Sequence, residues 1–409
     1  MQVVNCLKGI ENSITSFYYG KTQLEIGLGA INKYPEIVKK EKPKVMGLVT
    51  GKSSYKLNGA WDVVKKALDD EGIKLVHYDK ITTNPLSSTI DECTKLFLDN
   101  KVDYVTAIGG GSPIDAAKLV TILMKYPGKI AYDVLHLTFE TKEAVPLITI
   151  NTTAGTGTEV NRFFVVTIDN KGPVLKPVVG SIAAYPTYSI DDPNLLMSSP
   201  PKMTIYTAVD SLNHVFEAAT TKIRNPFSLI LGKEVVEMVA HFLPIANKDP
   251  KNGEARYYLH YASALAGCAF DSALLHLTHS LEHPMAAKIW NLPHGQGLGI
   301  LQPSVIKVVY PVLPKICALI LGPIIPDLKG DPSEATMVAE KYEEWLAENG
   351  LPEKMGDVGF KEEDIDELVK NARETPVISN VLLPVSPVEA TDELLKGIYL
   401  ESMKPLRKK

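Results

Sequence analysis

Cysteine is scarce and scattered. Cys6, Cys93, Cys268 and Cys317 are the only thiols in 409 residues, and no two form a CxxC pair. That excludes a disulfide framework and a cysteine-built zinc site, and it fits reduced thiols in the cytoplasm. Charge of one sign is also lacking. Lys and Arg number 43 against 48 Asp and Glu, a net charge of -5, which provides no basic field for nucleic acid or an anionic membrane. The lysine-rich end MKPLRKK reads as a solvated tail. There is no run of about twenty apolar residues to span a bilayer. The N-terminus lacks the basic-then-apolar pattern of a signal peptide. No internal repeat, low-complexity tract or GxGxxG fingerprint occurs. These absences leave a cytoplasmic protein that acts on a small molecule, without nucleic-acid or membrane partners.

What is present is a chain with 45% hydrophobic and 22% charged residues, long enough for two domains with real cores. In the first half, FYYGK (17–21) reads as a strand and 24–40 as helix-like. KVMGLVTG (44–51), NGAWDVVKKALDDEG (58–72) and IKLVHYD (73–79) then form a βαβ unit whose helix is closed by Gly72. The alternation repeats through STIDECTKLFLDN, YVTAIGGG, SPIDAAKLVTILMK and VPLITINTT. Strands that read as continuous apolar runs between helices predict a parallel sheet covered on both faces, with its ligand crevice beyond the carboxyl ends of the strands.

Two Gly-rich turns sit at those ends. GGGSP (109–113) joins a strand to a helix, where free amides and the helix dipole can face a phosphate. Ser112 serves equally as a helix cap ahead of Pro113, but three glycines in a row exceed what a turn requires and favour close approach of a ligand. TTAGTGTE (152–159) offers hydroxyls and amides at the same edge. Two such turns at successive strand ends make a dinucleotide pyrophosphate the leading ligand. After FFVVTI and a Pro-containing apolar segment, the loop-like DDPNLLMSSPPKM places a domain boundary near 200. Beyond it strand patterning fades and long helical periodicities take over. The expected fold is an α/β Rossmann-like parallel-sheet domain, 1–200, followed by an all-helical domain, 201–409.

The helical half carries the most pointed chemistry. HLTHSLEHPMAAKIWNLPH (276–294) sets His279 and His283 at i,i+4 spacing on one helix face, with His294 beyond Pro293. Upstream, AVDSLNHVFEAAT sets Asp210 and His214 at the same spacing. Asp210, His214, His279 and His294 would make a site of three nitrogens and one oxygen, suited to iron, zinc or nickel and not to magnesium or calcium. Any one of these histidines alone would read as an ordinary core residue. A metal beside a nicotinamide suggests a Lewis acid that binds an alcohol oxygen for hydride transfer.

GGGSPIDAAK, TTAGTGTEV, DSLNH and HSLEHP…PHG together resemble the iron-containing (group III) alcohol dehydrogenases over nearly the whole chain. The resemblance implies a two-domain, dehydroquinate-synthase-like fold with a metal in the cleft. It assigns the metal to Asp210, His214, His279 and His294, and proton transfer to His283. It matches Gly110, Gly111 and Ser112 to the pyrophosphate turn, with Asp115 and Lys118 completing the motif. Thr152, Thr153 and Thr156 match hydroxyls that contact the cofactor, Thr158 a carboxamide contact and Lys176 the nicotinamide-ribose lysine. Thr158 stands where Ser is common and Asn161 where Thr is common, and the step from His279 to His294 is one residue longer. Phe163 and Phe270 align with pocket positions or are plain core aromatics. His260 and His276 have no family role and read as satisfied structural histidines.

The expected activity is hydride transfer between a nicotinamide cofactor and a small primary alcohol, diol or aldehyde, with Fe2+ as the metal and Zn2+ or Ni2+ compatible. NADP(H) is favoured over NAD(H), because Gly51, Ser53 and Ser54 follow the first dinucleotide-domain strand where many NAD-preferring relatives place an Asp. The alternative there is Asp79 holding an NAD ribose. A homodimer or larger homo-oligomer is expected from the family's habit. Competing readings are a zinc glycerol-dehydrogenase-like enzyme and a nucleotide-binding protein whose metal is purely structural. A dehydroquinate-synthase-like cyclase is disfavoured, because Asp210 stands where Glu would be expected and no basic phosphate-binding set is found.

Overall fold

The computed structural model describes residues 15–407; Cys6 lies outside them. The chain divides into two compact units. One contains the residues up to Ser199 together with Pro250–Ala264, and the other Pro200–Asp249 with the chain from Leu265 onward. Segment 250–264, read from sequence as part of the helical half, packs with the first unit. Ala255, Tyr257, Tyr258, Leu259 and Ala262 are buried, and the Gly157 amide donates to Ser263 Oγ at 3.3 Å.

Among the described residues, nine strands belong to the first unit: β1 (Thr15–Tyr19), β2 (Thr22–Ile26), β3 (Val45–Gly51), β4 (Lys74–Ile81), β5 (Tyr104–Gly109), β6 (Leu147–Asn151), β7 (Phe163–Val165), β8 (Val178–Gly180) and β9 (Tyr188–Asp191). Seven form one sheet in the order β1-β2-β9-β6-β5-β3-β4, and β7 and β8 pair separately. Every neighbouring pair of the large sheet is parallel except β1 with β2. Successive side chains of a strand point to opposite faces, so both faces are buried by alternation. Val105, Ala107 and Leu147 pack with Ile90 and Phe97 of α3 (Ser87–Asp99) and Ile114 and Leu119 of α4 (Gly111–Leu123). Tyr104, Ile108, Ile148 and Ile150 pack with Ile37 of α1 (Tyr34–Glu41) and Val64 and Leu68 of α2 (Ala60–Asp70).

Three local readings change. Residues 17–21 span a hairpin turn, with Gly20 at φ 57. The helix-like run 24–40 is strand β2 first, a 3-10 turn over Ala30–Lys33 and α-helix only from Tyr34, because Gly27 and Gly29 at φ 146 and 85 break it. β9, hidden in a Pro-containing apolar segment, is a four-residue strand inserted between β2 and β6.

The longer helices that follow are α5 (Pro201–Thr220), α6 (Pro226–Lys248), α7 (Gly253–Ala273), α8 (Leu277–Lys288), α9 (His294–Val309), α10 (Pro314–Leu321), α11 (Ala335–Glu348), α12 (Ile365–Glu374) and α13 (Asp392–Glu401). α5 is buried almost all round from Thr204 to Thr220, the mark of a central helix. The sequence stretch 254–283 reads as one helix but breaks before α8, where Leu274 takes φ 62. Among the described residues, no helix is long and apolar enough to cross a membrane.

Candidate metal centre and nucleotide-binding turn

Three helices of the second unit bring the site together. α5 carries Asp210, His214 and Glu217 at i, i+4 and i+7, one stripe of its surface. α8 carries His279 and His283, and His294 opens α9. Gly295 explains how α9 comes so near. A Cβ there would lie 1.8 Å from the Tyr206 carbonyl oxygen, so only glycine allows the start of α9 to meet the α5 backbone one turn before Asp210.

The three imidazoles converge on one atom. His214 Nε2 lies 3.5 Å from Asp210 Oδ1, His279 Nε2 3.7 Å and His294 Nε2 3.7 Å. Ligand atoms of Asp210, His279 and His294 all lie within 4.8 Å of one another. A tetrahedral ion with bonds of about 2.0–2.2 Å needs ligand atoms roughly 3.3–3.6 Å apart, so the spacing fits a metal. The donor chemistry fits as well. Asp210 Oδ1 and His279 Nε2 are buried and make no hydrogen bond, a costly state for polar atoms unless an ion joins them. The His214 ring is held by stacking on Phe270 at 4.4 Å between centroids, which gives Phe270 a supporting role beside a ligand. His294 is the open side, with 27% of its side chain exposed.

Electrostatics put Asp210 and His214 in the protonation state that a metal needs, whereas His279 holds a proton that an ion must displace. Burial would raise the Asp210 carboxyl, but His214, His294 and His279 outweigh it and hold it well below the usual carboxylate range. Burial drives His214 down to about 4, which leaves a neutral imidazole able to ligate. Burial pulls His279 down too, yet Glu217 and Asp210 push it up to about 9. His283, 3% exposed, has its ring centroid 5.7 Å from that of His294. The His276 ring bonds Thr220 Oγ1 at 2.9 Å through Nε2, while its buried Nδ1, 3.5 Å from Glu217 Oε1, makes no hydrogen bond.

Two buried acids escaped the sequence reading. Glu217 contacts His279 Nδ1, and Glu282 Oε2 lies 2.6 Å from His294 Nδ1. Spacing was the one signal the sequence offered, Glu217 standing seven residues after Asp210 and Glu282 three after His279, and spacing alone does not show burial.

In the first unit, Gly109, Gly110 and Gly111 stand between β5 and α4 as predicted, but their own neighbours fill the space a side chain would take. Cβ atoms there would meet Pro113 Cγ at 2.5 Å, Thr153 Cγ2 at 2.5 Å and Thr156 Cγ2 at 2.8 Å. The run of glycines thus lets the loop carrying Thr152, Thr153 and Thr156 lie against the start of α4. Ser112 does not cap the helix; Gly110 occupies the cap position without a side-chain bond. That leaves the Ser112 hydroxyl and the first-turn amides as anion donors. Asp115 and Thr158 are joined to each other, the Thr158 hydroxyl donating to Asp115 Oδ1 at 2.6 Å. Gly51 ends β3, and Ser53 and Ser54 follow it exposed. Lys176 is buried just ahead of β8.

The profile of iron-containing alcohol dehydrogenases matches residues 21–193, and that of the C-terminal region of the same family matches residues 204–403. The chain is 47% identical to a long-chain primary alcohol dehydrogenase of Thermoanaerobacter ethanolicus over 93% of its length and 96% of the relative's. It is 34% identical to an NADPH-dependent butanol dehydrogenase of Clostridium saccharobutylicum over 71% of each chain. Its structure superposes on an NADH-dependent butanol dehydrogenase of Thermotoga maritima with a TM-score of 0.87 at 26% identity, covering 96% of this chain and 99% of that one. Matching profiles over both halves, a parallel sheet followed by a helical unit, and an aspartate with three histidines spaced for one ion agree: the chain belongs to the iron-containing alcohol dehydrogenase family, enzymes that use a metal and a nicotinamide cofactor.

Proposed function

We propose that this enzyme oxidises small primary alcohols or diols, and reduces the corresponding aldehydes, with NADP(H) as its preferred cofactor and Fe2+ on Asp210, His214, His279 and His294. The observation that carries this reading is the approach of three Nε2 atoms to within 3.5–3.7 Å of one buried carboxylate oxygen. The open position at His294 supports substrate access and weighs against a purely structural ion. When bound, the ion supplies Lewis acidity toward the substrate oxygen. Asp210 and the histidines hold and orient it. His283 takes or returns the substrate's hydroxyl proton. Gly110, Gly111 and Ser112 hold the pyrophosphate by backbone amides at the start of α4, flanked by Thr152, Thr153 and Thr156. Thr158, through its knot with Asp115, shapes the loop beside the cofactor, and Lys176 reaches the nicotinamide ribose. Gly51, Ser53 and Ser54 receive the adenosine ribose and its 2′-phosphate. Zinc and nickel suit the same donors, and a cytoplasmic homo-oligomer is the working form we expect.

The test is to load wild type and His279→Ala with Fe(II) under anaerobic conditions. Metal content is then measured beside the change in reduced-nicotinamide absorbance with 1-propanol, 1,2-propanediol and the aldehydes. Metal and turnover should fall together in the variant. Full turnover in a metal-free His279→Ala enzyme would overturn the assignment.

A further inference from the structure

We infer that Glu217 and Glu282 are positioning residues, each on one metal-bearing helix and bracing the metal histidine of the next. The inference rests on the metal assignment proposed above.

Glu217 sits on α5, the helix of Asp210 and His214, with its side chain fully buried. One oxygen contacts His279 Nδ1. The carboxylate also accepts the Thr278 amide at 2.7 Å, the His276 amide at 3.2 Å and the His279 amide at 3.3 Å. It therefore ends the stripe of metal ligands on α5 and caps the N-terminus of α8 at once. A carboxylate at Nδ1 requires that nitrogen to carry the proton, and Nε2, the atom aimed at Asp210, is left as the lone-pair donor.

Glu282 repeats the relationship one helix further. It sits on α8 with no side-chain exposure, and its Oε2 lies 2.6 Å from His294 Nδ1, in close contact though off the hydrogen-bonding axis. Gly297 makes this approach possible, because a Cβ there would fall 2.8 Å from Glu282 Cγ. α5 thus fixes the histidine of α8, and α8 fixes the histidine of α9. Charge supports the pairing. A divalent ion with Asp210 and neutral imidazoles leaves one positive charge buried, and one carboxylate behind the rings is enough to offset it without occupying a coordination position.

The test compares Glu217→Gln, Glu282→Gln and Gly297→Ala with wild type and His279→Ala. Metal affinity is measured by chelator competition, coordination by the visible spectrum of the Co(II)-loaded protein, and apo-protein stability by thermal melting. Bracing predicts that both glutamine variants lose about 10- to 100-fold in metal affinity and show an altered Co(II) spectrum. Gly297→Ala, which touches no ligand, should shift the spectrum in the same sense by displacing Glu282. Unchanged affinity and spectra overturn the inference, as does a lower apo melting temperature with metal affinity intact, which would make the acids structural only. If His279→Ala also binds metal normally, the metal assignment itself has failed.

Discussion

Lys118 donates from Nζ to the hydroxyl oxygen of Thr158 across 2.7 Å, in a position where the lysine has no exposed surface. The same ammonium donates to the carbonyls of Asn161 at 2.8 Å and Phe163 at 2.7 Å. Asp115 closes the knot by accepting from Thr158 and, at 2.9 Å, from the Val165 amide. α4 is thereby fastened to the loop that follows the second Gly-rich turn. Lys118→Met keeps most of the volume but leaves three buried acceptors without their donor, each costing about 1–3 kcal/mol. The variant should lose at least ~3 kcal/mol in urea unfolding of the apo-protein. Unaltered stability with weakened dinucleotide binding would instead make Lys118 a direct cofactor contact.

Continuous apolar runs and period-3.6 patterning made most of this fold legible, because β3, β5 and β6 are buried along their length and α2 and α3 each present one apolar stripe. It failed where backbone conformation outweighed pattern. Gly27 and Gly29 cut an apparently helical run, Leu274 breaks a stretch that reads as one helix, and four-residue β9 is a strand only because β2 and β6 flank it. The four candidate ligands were legible as two i,i+4 pairs and an HG step, and Gly295 shows why that glycine is needed. Glu217 and Glu282 were not, since an acid inside a helix reads as a solvated face until its burial is known. The glycines of the first turn were singled out for a reason the structure revises: Thr153 and Thr156 occupy the space a Cβ would need.

His283 is 3% exposed, with its ring near those of His279 and His294 at centroid distances of 6.5 and 5.7 Å. A group that moves the substrate's proton without holding the ion should be separable from metal binding. His283→Ala is expected to retain its metal and to lose about 10²- to 10⁴-fold in kcat, with the near-neutral limb of the pH profile removed. Ligand atoms of Glu282, His283 and His294 also lie within 4.8 Å of one another, so the competing outcome is specific. Loss of metal in His283→Ala would make it a ligand.

Glu159 and Asp191 are fully buried in the first unit, and His260 Nε2 stands 3.5 Å from Asp191 Oδ1. Among the described residues neither ring nitrogen of His260 has a hydrogen-bond partner, so it is not the satisfied histidine its sequence context suggests. Burial raises Glu159 from 4.5 to about 7, against the pull of Lys118 and Asn151. Burial and the charge of Glu159 push Asp191 well above the usual carboxylate range. A carboxyl raised on folding contributes stability that is complete below its unfolded value of 4.5 and is lost as pH rises through about 7. Glu159→Gln cannot ionise. Its melting temperature relative to wild type should therefore climb between about pH 5 and pH 8. His260, driven down to about 3 by burial, acts in the opposite sense on acidification, but it is common to both proteins and cancels. A difference flat across that range would show that Glu159 is not raised.

Cofactor choice is expected to turn on Gly51. The residue ends β3, next to β5, and pairs in register with Ile81 of β4 across an irregularity that follows Val49. An added Cβ would meet only the Ile81 carbonyl oxygen, at 3.4 Å, an ordinary contact, so Gly51→Asp should fold without strain. A carboxylate there can accept from both ribose hydroxyls and would repel a 2′-phosphate at close range. Its absence, with Lys52, Ser53 and Ser54 exposed beyond the strand end, leaves a cation and two hydroxyl donors for a dianion. The named relatives are divided, one NADPH-dependent and one NADH-dependent, so family membership does not set the choice. The competing reader is Asp79, exposed on β4 at the same irregularity. The kcat/KM ratio of NADP to NAD is measured in wild type, Gly51→Asp and Asp79→Asn. Wild type should prefer NADP, and Gly51→Asp should move the ratio toward NAD by about tenfold or more, equivalent to ~1.4 kcal/mol, with Asp79→Asn near wild type. A wild type that prefers NAD and loses the preference in Asp79→Asn would place the 2′ reader on β4.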